Sequence, residues 1–129
     1  MVLKILKKIR NNKKLILCFD IDNVICETKK NDYKKSKPIK KNINLINFFY
    51  SKGIFIKIFT SRFMGRNSEN ILKAKRDGYK FTVNQLNSWG LKYDKLIFGK
   101  PSYDFFVDDK CLFYKKNWET KIKKVLKIK

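Results

Sequence analysis

The sequence predicts an α/β domain built on a mostly parallel sheet. Three observations carry that expectation. Apolar runs of strand length alternate with segments of helical periodicity. The runs Leu15–Ile21, Ile54–Phe59, Lys95–Phe98 and Asp104–Val107 each lead into residues able to do chemistry. The 129 residues suffice for one domain with one core, spanning 1–129.

Residues 1–12 read as a short amphipathic helix or a frayed end. Leu15 to Ile21 is apolar but for Asp20, as a strand buried on both faces and ending at that acid would be, and places Cys18 in the core. Residues 26–42 are polar, contain Pro38 and read as a loop or flap. Asn42 can cap a helix over Ile43, Leu45, Ile46, Phe48 and Phe49, ended by Gly53. Ile54 to Phe59 is a second strand, ending at Thr60-Ser61. Helices are expected around 67–77, ending at Gly78, and around 82–89, ending at Gly90. Lys95 to Phe98 forms a third strand and Asp104 to Val107 a fourth, with Phe105 and Phe106 in the core. Trp118 to Ile128 closes the domain as a helix with a lysine-rich wet face. The sum is a three-layer, Rossmann-like arrangement with helices on both faces of the sheet, without repeats or an interdomain linker.

The formal net charge is +21, from 32 Lys and Arg against 11 Asp and Glu. Only four of the cations are arginine (Arg10, Arg62, Arg66, Arg76), so the excess reads first as a lysine-rich codon bias. A basic surface for a polyanion is the sharper alternative, and either way anionic substrates are attracted at low salt. There is no histidine, which removes Ser-His-Asp triads and most zinc sites. Cys18, Cys26 and Cys111 have no metal-ligand spacing. No window approaches a transmembrane length, and the amino end lacks the continuous apolar stretch of a signal peptide. A cytoplasmic protein with reduced thiols and no membrane partner is the expectation.

Asp20 and Asp22 follow the first strand at i, i+2, so both carboxylates point to one side. Two acids that close raise one another's pKa unless a cation sits between them. Thr60-Ser61, Lys100 and Asp108-Asp109 follow the other strands. Parallel strands bring their carboxyl ends to one edge, where open α/β sheets place ligands. Acids, a hydroxyl and a lysine together suit a phosphoryl group with Mg²⁺, which prefers hard oxygen ligands. Ser61, Arg62 and Arg66 are the candidates for contacting the rest of the substrate. The bland alternative for the arginines is salt bridging to Glu69 or Asp77. Tyr33 and the flap lysines stand where they can close over the site; the bland alternative is a disordered basic loop.

Four segments in this order resemble the motifs of the haloacid dehalogenase superfamily of aspartate-nucleophile phosphotransferases: Phe19-Asp20-Ile21-Asp22-Asn23-Val24, Ile58-Phe59-Thr60-Ser61, Gly99-Lys100-Pro101 and Phe105-Phe106-Val107-Asp108-Asp109. Asn23 stands where the family usually has glycine, and asparagine tolerates the positive φ such a turn requires. The resemblance implies that Asp20 attacks phosphorus and forms an aspartyl-phosphate. Asp22 would protonate the leaving oxygen and then activate water. Thr60 would hold a phosphoryl oxygen, and Lys100 would orient Asp20 and neutralise charge. Mg²⁺ would be bound by Asp20, the Asp22 carbonyl and Asp108, with Asp109 nearby. An acid at Asp22 implies phosphomonoester hydrolysis. Neither inter-motif gap has room for a substantial cap domain, so the resemblance is to capless members. These commonly act on large substrates or borrow a lid from a neighbouring subunit, which makes a homo-oligomer an expectation. Segments 60–67 and 99–104 also look like small bacterial phosphatases assigned to polysaccharide or capsule biosynthesis, so a sugar phosphate of surface-polysaccharide synthesis is the expected substrate. A phosphatase of nucleotides or nucleic-acid ends, and an inactive basic polyanion-binding module, are the rivals. Steep salt dependence would mark the nucleic-acid readings.

Overall fold

The computed structural model describes residues 7–8 and 14–128. It falls into two units, Ile16–Tyr103 and a second that joins the residues before Ile16 to Asp104–Lys129. The helix expected over 1–12 lies outside the described residues apart from Lys7 and Lys8, which are helical.

The first unit carries a three-stranded parallel sheet in the order β1 (Ile16–Phe19), β4 (Phe55–Thr60), β5 (Lys95–Phe98). Phe19 lies opposite Ile58, Ile58 opposite Leu96 and Thr60 opposite Phe98. Helix α1 (Lys40–Ser51) connects β1 to β4, and α2 (Ile71–Ser88) connects β4 to β5. Two right-handed crossovers that step in the same direction place both helices on one face of the sheet. The burial of β4 agrees: Ile56, Ile58 and Thr60 are fully buried while Phe55, Lys57 and Phe59 on the opposite face are only partly covered. Within this unit the expected three layers therefore reduce to two. Ile16 and Cys18 of β1 lie on the same uncovered face as Phe55 and Lys57, which corrects two expectations. Ile16 is exposed, and so is Cys18, so the apolar run Leu15–Ile21 is not buried on both faces.

The polar stretch after β1 is an ordered hairpin. β2 (Cys26–Glu27) pairs antiparallel with β3 (Lys37–Pro38), and a 3-10 turn at Tyr33–Lys35 lies between them. Asn42 does not cap α1, whose N-cap position is Ile39. Its buried side chain instead donates to the Val24 carbonyl at 2.7 Å, tying the first turn of α1 to the turn before the hairpin. Ile43, Leu45, Ile46 and Phe49 supply the apolar stripe of α1.

The two helices expected on either side of Gly78 are one continuous helix, α2. The Asn70 side chain caps it by accepting from the Lys73 amide at 3.0 Å. Gly78 is a close-approach residue rather than a stop: a Cβ there would stand 2.1 Å from the Phe63 ring. Periodicity across residue 78 was therefore the better guide than the glycine itself.

In the second unit α3 (Trp118–Leu126) forms nearly as expected, ending at Lys127 with φ 55°. The rings of Tyr114 and Trp118 meet with centroids 5.7 Å apart. The fourth strand, Asp104–Val107, does not form. An apolar run becomes a strand only where a ladder partner accepts it; here Phe105 and Val107 face solvent, 84% and 87% exposed, and Phe106 is also exposed.

Gly78→Ala separates the two readings of that glycine. In an open helix this change stabilises by up to about 1 kcal/mol. Against Phe63 we expect a net loss of about 1–2 kcal/mol from overpacking, read as a lower urea midpoint at unchanged m-value. A raised midpoint would remove Gly78 from this contact.

Candidate active site

Register brings the residues after β1, β4 and β5 to one edge of the sheet. The Lys100 amide donates to the Thr60 carbonyl at 3.1 Å, which continues the β4–β5 contact one step past the strands. Gly99 has φ +102°, and a Cβ on it would approach Ile71 to 3.0 Å, so the bend that redirects Lys100 requires glycine. Lys100 Nζ then lies 3.3 Å from Asp20 Oδ2, while Asp20 Oδ1 accepts from the Ile21 amide at 2.8 Å. Burial pushes the Asp20 pKa above its ordinary value; Lys100 and the Ile21 amide pull the other way without cancelling it. Burial opposes the charge on Lys100, but the contacts with Tyr103 and Asp20 prevail and hold its pKa up.

Asp22 sits in a tight turn in which the Ile21 carbonyl accepts from the amides of Val24, Ile25 and Cys26. Asn23 has φ 66°, as its place in this turn predicted. The Asp22 and Asp20 carboxylates have different side-chain partners. The Asp22 carboxylate takes a fork from Arg62, with Nε 3.0 Å from Oδ2 and Nη2 2.9 Å from Oδ1, and accepts from Thr28 Oγ1 at 2.5 Å. Each acid thus has its own cation, Lys100 for Asp20 and Arg62 for Asp22. That is how the chain relieves the repulsion implied by the i, i+2 spacing.

Arg62 is the main correction to the predicted site. It is 1% exposed, so it is not open to a substrate, and its partner is neither Glu69 nor Asp77. Its third nitrogen, Nη1, donates to Gln85 Oε1 at 2.6 Å, and Gln85 Nε2 donates to the Tyr33 carbonyl at 2.7 Å. The guanidinium carbon lies 4.7 Å from the centre of the Tyr33 ring. Gln85 and Thr28 had no motif to mark them, and nothing in the local sequence connects them to Asp22. Thr60 is also fully buried, and its hydroxyl accepts from the Arg62 amide at 3.1 Å. It shapes the turn, and Ser61 is the hydroxyl beside the open space.

That open space is a cavity of about 310 Å³. Asn31 and Tyr33 from the hairpin, Ser61, Phe63, Gly65 and Arg66 from the β4–α2 loop, and Ser102 line it. Tyr33 is buried against Phe63, their ring centroids 5.0 Å apart, so the 26–42 flap is ordered and does reach this side of the site. Its described lysines stay at the surface, and Lys35 pairs weakly with Asp32 at 3.9 Å. Phe63 has φ 66°, a left-handed conformation that costs energy for an aromatic residue and is held by its packing on Gly78 and Tyr33.

Asp108 and Asp109 belong to the second unit, where Asp108 Oδ1 accepts from the Lys110 amide at 2.9 Å. That hydrogen bond holds the Asp108 pKa below its ordinary value. Among the described residues, no three side chains of the kinds that ligate metals stand together. Among the same residues, no helix is long and apolar enough to cross a membrane.

No protein-family model matches the chain, and no curated protein matches it. The structure is similar to a crystal structure of a target protein from Vibrio cholerae, with TM-score 0.76 over 88% of this chain and 97% of that one. The two are 22% identical, and at that distance the likeness is one of fold, an α/β, Rossmann-like fold on a parallel sheet.

Two outcomes follow from the two acids. Asp22→Asn leaves Arg62 buried with its charge uncompensated, so we expect a loss of about 3–5 kcal/mol. Arg62→Met should cost clearly less, because the Asp22 side chain is 22% exposed and can hydrate. Denaturant unfolding of both variants checks this, and a larger loss in Arg62→Met would overturn the assignment of the buried partner. For Asp20 the sign is opposite to that of an ordinary surface carboxylate. Because its native pKa is raised, its contribution is present below 3.8 and is lost as pH rises through the raised value. The stability of Asp20→Asn relative to wild type should therefore increase as pH climbs out of that range; a flat or falling difference across a pH series would contradict it.

Proposed function

We propose that the chain is a Mg²⁺-dependent phosphomonoester hydrolase of the haloacid dehalogenase kind, acting through an aspartyl-phosphate on Asp20. The observation that carries this reading is the separation of the two acids. Asp20 is half-buried at the sheet edge with Lys100 alongside, while Asp22 is held in place by Arg62 and Thr28. Asp20 has a cation of its own at the edge where a phosphoryl group would dock, and the acid–base role of Asp22 rests on the sequence resemblance.

Asp20 attacks phosphorus, a new P–O bond forms to its carboxylate, and the bond to the leaving oxygen breaks. Asp22, aimed by its fork from Arg62, passes a proton to the leaving oxygen and later takes one from the water that cleaves the aspartyl-phosphate. Lys100 offsets charge on Asp20 and on the phosphoryl oxygens. Ser61 lines the space into which the ester projects. Thr60 supports the loop from beneath rather than meeting the phosphoryl group directly.

The donors present suit Mg²⁺. Asp20 is a hard oxygen ligand, and burial disfavours its charge enough that a cation beside it would be favoured. The turn's amides bond to the Ile21 and Cys26 carbonyls, which leaves the Asp22 carbonyl out of the turn's own hydrogen bonds. Asp108 enters this reading from the sequence resemblance alone, with Asp109 beside it. Mg²⁺ bound by these groups would neutralise the phosphoryl oxygens during transfer.

A cavity of about 310 Å³ is of a size to take a small leaving group such as a sugar. A sugar phosphate used in surface-polysaccharide synthesis, turned over in the cytoplasm, is the substrate class we favour.

Phosphate release from sugar phosphates, nucleotides and phosphorylated oligonucleotides, with Mg²⁺ and with EDTA, tests the reading. We expect turnover of a sugar phosphate only with Mg²⁺, and a loss of at least about a thousandfold in Asp20→Asn. Activity that survives EDTA, or survives Asp20→Asn, would exclude the mechanism.

A further inference from the structure

We propose that the molecule turned over at this site carries a second anionic group, a carboxylate or a second phosphoryl group, and that Arg66 reads it. The inference rests on the phosphatase reading and adds a substrate class to it.

Arg66 differs from the other cations of this lysine-rich surface. Its guanidinium lies against a pair of packed aromatic rings, 4.6 Å from the centre of Phe63 and 5.2 Å from that of Tyr33. Nη2 donates to the Asn31 carbonyl at 3.2 Å. The ring contacts and this hydrogen bond favour one placement of the guanidinium before any ligand arrives, which lowers what is lost on binding. One of the five N–H donors is used, and the remainder of the planar fork is available on the wall of the cavity. Among the described residues no carboxylate pairs with Arg66. The acid of the same loop, Glu69, is taken by Ser102, whose amide and hydroxyl donate to it at 2.8 and 3.1 Å. In a chain with 32 cations and 11 acids, an unpaired cation alone would mean little. An arginine fork that rests on two rings, is hydrogen-bonded to the hairpin and lines a cavity is a different matter, because its geometry matches carboxylate and phosphate oxygens two at a time.

The cavity adjoins the reacting groups by short chain connections. Ser61 follows Thr60, whose carbonyl holds Lys100, and Ser102 is two residues beyond Lys100. The cavity thus lies at the same edge of the β4–β5 pair as Lys100, and we place a phosphoryl group at Asp20 and Lys100 and an anion at Arg66 as the two ends of one small molecule. Ser61 and the Tyr33 and Phe63 rings offer hydroxyl and apolar contacts to its body.

The test compares sorbitol 6-phosphate with 6-phosphogluconate, which differ by one carboxylate, and with sorbitol 1,6-bisphosphate. Wild type should prefer one of the two acidic esters in kcat/KM, and which one distinguishes carboxylate from phosphoryl. In Arg66→Gln the ratio of acidic to neutral kcat/KM should fall about tenfold or more, the size of a charge-assisted pair, and Arg66→Lys should recover part of it. Calorimetry of the acidic ester with metal-free Asp20→Asn, with and without Arg66→Gln, supplies a readout apart from turnover. Equal kcat/KM for neutral and acidic esters, unchanged by Arg66→Gln, would overturn this inference and leave the phosphatase reading intact. Binding that depends on Arg66 without turnover of any ester would support the anion site and remove the phosphatase reading. Neither turnover nor binding removes both.

Discussion

The arrangement of this site depends on the ion pair between Arg62 and Asp22. A guanidinium that is 1% exposed must have its charge and its donors met, and only a few groups are placed to do so. Asp22 comes from the turn after β1, Gln85 from the last turn of α2, and the Tyr33 ring from the hairpin. One side chain on the loop after β4 thus fixes three other segments against it. Burying two charges is costly, and an apolar substitute is often as stable. What this pair contributes is position. A fork bound at two oxygens has one orientation, and the Asp22 carboxylate acquires that orientation with it.

Asp20 shows what the same edge does without such a partner. Its lysine lies at 3.3 Å, a looser contact, and burial leaves the carboxyl with a raised pKa. The chain holds one acid rigidly and leaves the other under-compensated, two residues away. An under-compensated carboxylate costs stability in the resting protein, and groups of that kind are concentrated where chemistry is done. The edge is therefore a place where stability and the capacity to bind a cation or a phosphoryl group oppose each other.

How much of this was legible in the sequence depended on how local each cause was. β4 and β5 follow from apolar runs bounded by turn residues, and the structure places them within a residue of the expected bounds. Asn23 was readable because positive φ narrows the choice of residue, and Lys100 because the glycine before it marks a bend. The failures are all non-local. The exposure of Cys18 depends on which face of the sheet the helices cover, which no feature of residues 15–21 encodes. Asn42 resembled a cap because caps are the commonest use of asparagine before an apolar stripe; its partner, Val24, is 18 residues away. The run at Phe105–Val107 has strand composition, but composition cannot supply a ladder partner. Arg62 was noticed for its rarity, and rarity does not say whether an arginine points outward to a ligand or inward to an acid 40 residues earlier.

The β4–α2 loop shows why the inward arginine and the outward one belong to a single design. Arg62 and Arg66 are four residues apart, and Phe63 between them adopts φ 66°. A left-handed aromatic residue persists only if the surroundings determine it, and they do so from two sides, Gly78 beneath and Tyr33 alongside. Tyr33 is itself held by Gln85, which is held by Arg62. The chain of contacts therefore closes on itself: the buried arginine orders the ring that stacks on the exposed one. Arg66 is presented to the cavity by a network whose charge is balanced at Asp22. The acid–base group and the wall of the substrate pocket share one support, and α2, which carries no motif residue, is the element that holds both in place.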